Sequence, residues 1–253
     1  DRPPVGYGFS YLDVGGPWFL SMAIISALHF RAKTGRGQHI DLSQVGPGFL
    51  LSGTAILDYS ANQRPYERTG NRGPRISAAP HNAYRCQGED RWIAIAVSTD
   101  EEWEAFCGVL GDPLWSKAEK FSTRLGRLES QDELDHFVES WTSDRDRYDI
   151  MHAMQEAGVP AGVCQNVADR VELDEQLRHR GYIETVEHSE YGTYRVEGSV
   201  AHWSSTQPQS GSVHNWGAPC YGEHNAFAFK ELLGLSDSEL ESLAQENVIG
   251  WEA

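Results

Sequence analysis

Residues 62–82, NQRPYERTGNRGPRISAAPHN, carry neither a helical nor a strand-like apolar repeat. The segment is dense in Gly, Pro, Arg and Asn, which punctuate regular structure rather than fill a core. A chain of 253 residues can form one large domain or two smaller ones. A stretch of this length without structure marks a boundary or a functional loop. It rules out one uninterrupted core. The sequence therefore divides into residues 1–60, a connecting loop at 61–82, a compact block at 83–200 and a C-terminal segment at 201–253.

Ahead of the loop, Trp18–Leu28 reads as a buried helix ending near Thr34-Gly35, with Pro17 at its first position, where a missing N–H costs nothing. QHIDLSQ alternates like a short strand, and GPGFLLSGTAILDYSAN resumes a helical period broken early by Gly and Pro. The longest apolar run, Trp18–Phe30, reads as too short to cross a bilayer and is followed by Arg31 and Lys33. The N-terminus lacks the layout of a signal peptide. A chain opening on Asp1 is expected to be processed or part of a longer polypeptide.

Beyond the loop, RWIAIAV is a strand. Thr99 with Glu102, Ser130 with Glu133 and Ser236 with Glu239 each have the spacing of a capping box at a helix start. A helix over Arg147–Ala157 stops at Gly158, PAGVCQ is a short strand, and VADRVELDEQLRHR reads as one helix stopping at Gly181. YIETVEH and TYRVEG flank SEYG as a hairpin. The block from 83 to 200 is thus an α+β unit.

The net charge of −16 repels a phosphate backbone and argues against a nucleic-acid partner. Cys86, Cys107, Cys164 and Cys220 form no CxxC, which favours reduced thiols in the cytoplasm over a zinc site or disulfides. No metal is expected, because the ten histidines are scattered without ligand spacing, and His81 and His224 sit in polar loop contexts. GYG at 6–8 lacks a third glycine, and no GxSxG is present. Arg31, Lys33 and Arg36 form a basic turn that suits a helix C-terminus, and Glu101 and Glu102 read as helix-start acids.

SYLDVGGPWFL, residues 10–20, is the most suggestive stretch: a lone acid, Asp13, stands at the mouth of an apolar helix. An acid there favourably opposes the helix dipole, which is its ordinary reading. Its functional reading is that Gly15 and Gly16 permit close approach of a substrate. Free N–H groups at the helix start would then hold a developing oxyanion.

In order along the chain stand YLDVGG, RAKTGRGQHIDLSQ, RTGNRGP, AAPHNAYRC, RWIAIAVSTDEEWEAFCGVLG, MQEAGVPAGVC, DEQLRHRGY, GAPCYGEHN and ELLGLSDSEL. Together these resemble the class III coenzyme A transferases, the family that includes formyl-CoA transferase, CaiB/BaiF proteins and α-methylacyl-CoA racemase. The resemblance covers nearly the whole chain and corresponds to the C-terminal portion of the family. It implies an α/β fold: part of a Rossmann-like large domain, carrying the active-site Asp on 1–60 and returning at 201–253, plus an inserted smaller α+β domain at 83–200. The assembly implied is an interlocked homodimer. The implied nucleophile is Asp13, acting through an aspartyl-CoA thioester, with coenzyme A entering as the acyl-CoA substrate and a small carboxylic acid as its partner. A glycine loop near the thioester is implied at Gly70, Asn71, Arg72 and Gly73. Gly73 stands where relatives read histidine, so substrate contacts are not carried over there. Family members also have a substantial N-terminal region with most CoA contacts, which would precede Asp1. Two alternatives remain open: a 2-methylacyl-CoA racemase, whose D-x-x-G-G-G pattern DVGGP approaches, and a non-catalytic partner half.

Overall fold

The computed structural model describes residues 10–65, 69–72, 77–206 and 217–250. The chain forms two compact units, residues 1–73 and 74–253, dividing inside the segment read as a connecting loop.

The first unit is helical. Helix α1 spans Tyr11–Thr34, α2 spans Val45–Leu51 and α3 spans Gly53–Asn62. Gly35 closes α1 in the left-handed conformation, its φ of 73° suiting a residue without Cβ, and its N–H donates to the Arg31 carbonyl at 2.8 Å. The helix begins well before the expected start: Pro17 lies inside it and Asp13 falls in its first turn. The 24-residue helix is also longer than the apolar run read from the sequence. Among the described residues it is long and apolar enough to cross a membrane by length and composition, with only 11% of its apolar window buried. Trp18, Met22 and Ile25 are exposed on it. QHIDLSQ does not form a strand: a strand needs a neighbour for its backbone groups, and residues 36–43 have no ladder partner among the described residues. The pair α2–α3 breaks at Ser52 rather than at Gly46-Pro47, which sit in the first turn of α2.

The second unit holds the core. Strands β1 (His81–Arg85), β2 (Trp92–Ala96) and β3 (Ala161–Val163) form an antiparallel sheet in that order. His81 pairs with Ala96, and Ile95 with Ala161. Strand β1 was not evident in the sequence, and it draws His81 out of the loop context read for it. Alternation along β2 sends Ile93 and Ile95 inward, at 0% and 2% exposure. Helices α4 (Asp100–Val109), α6 (Gln131–Thr142) and α7 (Arg147–Glu156) contribute Trp103, Phe106, Leu134, Val138, Ile150 and Met154 to the same core, and α5 (Arg124–Glu129) packs Leu128 against it. Each such side chain contributes about 1.5–3 kcal/mol by leaving water. Trp115 stacks on Phe137 with ring centroids 4.8 Å apart. The sheet is fastened to α6 by Asp135, which accepts from Tyr84 Oη at 2.6 Å and Asn82 Nδ2 at 2.9 Å.

The capping boxes at Thr99–Glu102 and Ser236–Glu239 form in both directions, the second starting α10 (Asp237–Gln245). Ser130 makes no side-chain cap, because it also ends α5 and its φ of −108° and ψ of 23° are not the extended geometry a cap needs. The sequence read as one helix at 167–180 is two, α8 (Val167–Glu172) and α9 (Glu175–His179), since Asp174 caps the second by accepting from the Leu177 N–H at 2.7 Å. The expected hairpin forms from β4 (Ile183–His188) and β5 (Gly192–Glu197). Before α10, Ala226–Leu232 winds as a π-helix.

Candidate functional site

Asp13 is exposed in the first turn of α1, where an anion gains about 0.3–1 kcal/mol from the helix dipole. Gln44 Nε2 donates to Asp13 Oδ1 at 2.8 Å across 31 residues of chain. Gln44 is the N-cap of α2, yet its side chain does not cap that helix. The residue was not singled out in the sequence, and only the tertiary approach of two helices reveals it.

The glycines beside the acid have a different place from the one read for them. Helix α1 starts at Tyr11, so the N–H groups of Gly15 and Gly16 lie beyond the open donors of its first turn. Both glycines are buried. A Cβ on Gly15 would meet Leu51 Cδ1 at 3.6 Å, and one on Gly16 would meet Gln44 Cγ at 3.3 Å. On α2, a Cβ on Gly48 would press on Leu12 Cδ2 at 3.1 Å. The three glycines are clearance for α2 against α1. Pro17 in turn has no N–H to offer the Asp13 carbonyl, its partner in a regular helix.

An open groove of about 720 Å³ runs beside this turn. Tyr11 and Leu12 line it from α1, and Val45, Phe49, Leu51 and Ile56 give it an apolar wall from α2 and α3. The glycine loop is described at residues 69–72, and Gly73 lies outside the described residues. Arg72 N–H donates to the Thr69 carbonyl at 3.2 Å, closing a turn over Gly70 and Asn71. Gly70 has φ 65°, the left-handed value that the first central position of a hairpin-type turn takes with glycine. The turn is not part of the described lining of the groove.

Other chemistry-bearing residues are placed as follows. Arg31 and Lys33 occupy the last turn of α1. Glu101 sits at the start of α4, its carboxyl held below the usual range by a backbone N–H and by Thr99. Burial pushes the Cys86 thiol up to about 11, and also raises Cys107 and Cys164, so these sulfurs are poor nucleophiles near neutrality. His224 lines a small pocket of about 260 Å³ with Glu187, His188 and Ser189. No group of three His, Cys, Asp or Glu among the described residues is placed to hold a metal.

A sequence model described as CoA-transferase family III matches residues 1–225. A succinyl-CoA–D-citramalate CoA-transferase of Chloroflexus aurantiacus is 30% identical over 249 residues, covering 98% of this chain and 60% of the relative. A formyl-CoA:oxalate CoA-transferase of Bradyrhizobium sp. is 24% identical over 258 residues, covering 95% and 59%. Among solved structures, a CaiB/BaiF family protein from Brucella suis superposes with a TM-score of 0.79 at 28% identity, covering 92% of this chain and 58% of that one. The chain thus spans about 60% of the length of these relatives. Its mixed α/β architecture agrees with theirs, and by sequence and fold it belongs to CoA-transferase family III.

Proposed function

We propose that the protein is an acyl-CoA:carboxylate CoA-transferase working through an aspartyl-CoA thioester on Asp13. The observation that carries the reading is an exposed carboxylate in the first turn of a helix, with one oxygen engaged by Gln44 and the other without a described partner. Asp13 Oδ2 attacks the acyl carbonyl carbon, the C–S bond breaks, and the CoA thiolate leaves a mixed anhydride. The thiolate then attacks Asp13 Cγ, the bond from Cγ to Oδ2 breaks, and the first acid departs as its carboxylate. An acceptor carboxylate reverses both steps. Covalent capture divides one difficult exchange into easier ones. Covering the apolar groove beside Asp13 in the complete assembly would keep water from the anhydride. The matched relatives named above are CoA-transferases acting with small acids such as citramalate and oxalate, which favours transfer over racemisation and points to a small acid as acceptor.

In this proposal the remaining length of the polypeptide supplies most CoA contacts, residues 201–253 return to the large domain, and 83–200 form the small one. The exposed apolar face of α1 is covered by that remaining length or by a second copy in an interlocked dimer, and the enzyme works in the cytoplasm.

Asp13→Asn, made in the complete polypeptide that carries this sequence, keeps size and shape but removes the attacking oxygen. Transfer should fall by about 10⁴-fold or more while folding and CoA binding persist. Hydroxylamine added after acyl-CoA should mark residue 13 in a peptide mass spectrum. A racemase, which exchanges a proton and forms no acyl-enzyme, would stay unmarked. An Asn variant that still exchanges CoA at near the wild-type rate defeats the assignment.

A further inference from the structure

We infer that Gln44 is a catalytic residue: its side-chain amide is the oxyanion donor for the tetrahedral species that form at Asp13 Cγ. The inference rests on Asp13 being the nucleophile. Its geometric basis is the 2.8 Å hydrogen bond from Gln44 Nε2 to Asp13 Oδ1. Gln44 ends the irregular segment before α2 and leaves that helix without a side-chain cap, so the amide serves Asp13 instead. The absence of a side chain on Gly16 lets the Gln44 stem lie against α1, since a Cβ would meet Gln44 Cγ at 3.3 Å.

The chemistry follows from which oxygen is held. Attack by Oδ2 on the acyl-CoA leaves Oδ1 as the carbonyl oxygen of the anhydride. When the CoA thiolate adds to Cγ, a C–S bond forms, the C=O pair moves onto Oδ1, and the pair then returns as the bond to Oδ2 breaks. When the acceptor carboxylate adds to the aspartyl thioester, a C–O bond forms, the negative charge appears on Oδ1 again, and the pair returns as the C–S bond breaks and the CoA thiolate leaves. A donor at Oδ1 therefore meets the charge in both steps at Cγ. In the first attack the charge develops on the acyl oxygen, which Gln44 does not touch. A neutral amide suits this place. It fixes the resting carboxylate in one rotamer and leaves Oδ2 to attack, whereas an Arg or Lys would neutralise the nucleophile it holds.

The test uses the complete polypeptide with Asp13→Asn as a parallel control. Gln44→Met, close in shape but without the donor, should lower kcat by about 100-fold or more, on the scale of losing one oxyanion donor, with little change in KM for acyl-CoA. Intact-protein mass spectra after mixing with acyl-CoA should show the acyl adduct persisting and the CoA adduct slow to appear. Gly16→Ala, which displaces Gln44 without altering it, should lower kcat in the same direction. Gln44→Glu supplies a pH signature that a packing role would not give. The introduced carboxyl repels Asp13 when ionised and donates to it when protonated, so relative activity should rise as pH falls. If Gln44→Met is folded by circular dichroism and keeps kcat within about threefold of wild type while Asp13→Asn is inactive, the nucleophile stands and the role of Gln44 is overturned. If Asp13→Asn is active, both fall. An unfolded Gln44→Met moves the decision to Gln44→Glu, whose flat relative pH profile would overturn the inference.

Discussion

Removing the charge of Asp169 should destabilise the second unit by about 3 kcal/mol, and only above acid pH. Arg147 Nη2 donates to Asp169 Oδ2 at 2.7 Å, and the two side chains are 6% and 9% exposed. Arg147 Nη1 donates to the Cys164 carbonyl at 3.0 Å, which ties α7 to the end of β3. Asp169 Oδ2 also accepts from the Asn166 N–H at 2.9 Å in the capping box that starts α8. Asp169→Asn retains a carbonyl for both donors but strands the buried guanidinium, whose loss of partner costs about 3–5 kcal/mol in comparable sites. The retained carbonyl places the expected value at the lower end. For a unit of this size that is a fall in Tm of about 6–12 °C, at about 2–4 °C per kcal/mol. The pH dependence has a definite sign. Burial alone would raise the Asp169 pKa, but the Asn166 N–H and the Arg147 guanidinium outweigh it, and the carboxyl titrates below its ordinary 3.8. Its contribution is therefore complete above that ordinary value and is lost as pH falls through the depressed folded value. Urea unfolding followed by circular dichroism from pH 7 down to pH 3 should show the gap between variant and wild type narrowing in acid. A gap below about 1 kcal/mol at neutrality, or one that does not change with pH, would refute the argument. Arg147→Met combined with Asp169→Leu should recover most of the loss, because an apolar pair strands no charge.

Substitutions at two glycines test backbone arguments. Gly126→Ala in α5 should destabilise by about 1–3 kcal/mol, although Ala ordinarily favours a helix, because its Cβ would press into the Lys120 carbonyl; a thermal scan showing stabilisation would contradict this. Gly70→Ala should cost about 1–2 kcal/mol through its φ of 65° alone, since a Cβ there meets nothing within 4 Å, and Gly70→Asn should cost less; equal melting temperatures for all three proteins would remove the strain argument.

What the sequence carried plainly was local. The Thr99 and Ser236 boxes, the strand through Ile93 and Ile95 and the hairpin at 183–197 are dictated by neighbours a few residues away, and they form as read. The lone acid before an apolar helix marks Asp13 in the sequence, and the family resemblance adds the role of nucleophile. What failed depended on distant partners. Pro17 reads as a helix start because its missing N–H is harmless there, yet α1 accommodates it inside and begins at Tyr11. QHIDLSQ alternates but finds no strand to pair with among the described residues. The Ser130 pair has the right spacing, but the same residue terminates the preceding helix. Gln44 lies 31 residues from the acid it holds, and no periodicity connects the two.

The proline inside α1 has a mechanical consequence. Upstream of Pro17 the helical ladder has a missing rung at the Asp13 carbonyl, so residues 11–16 are joined to the rest of α1 less firmly than a regular helix would join them. Their second attachment is lateral: Leu12 against Gly48, Gly15 against Leu51, and Gly16 and Asp13 against Gln44. The acid is thus tied to α2 as well as to the long helix that bears it. A small slide of α2 would then move the Asp13 carboxylate more than the distal turns of α1, so the helix pair is a carriage for that side chain rather than a fixed mount.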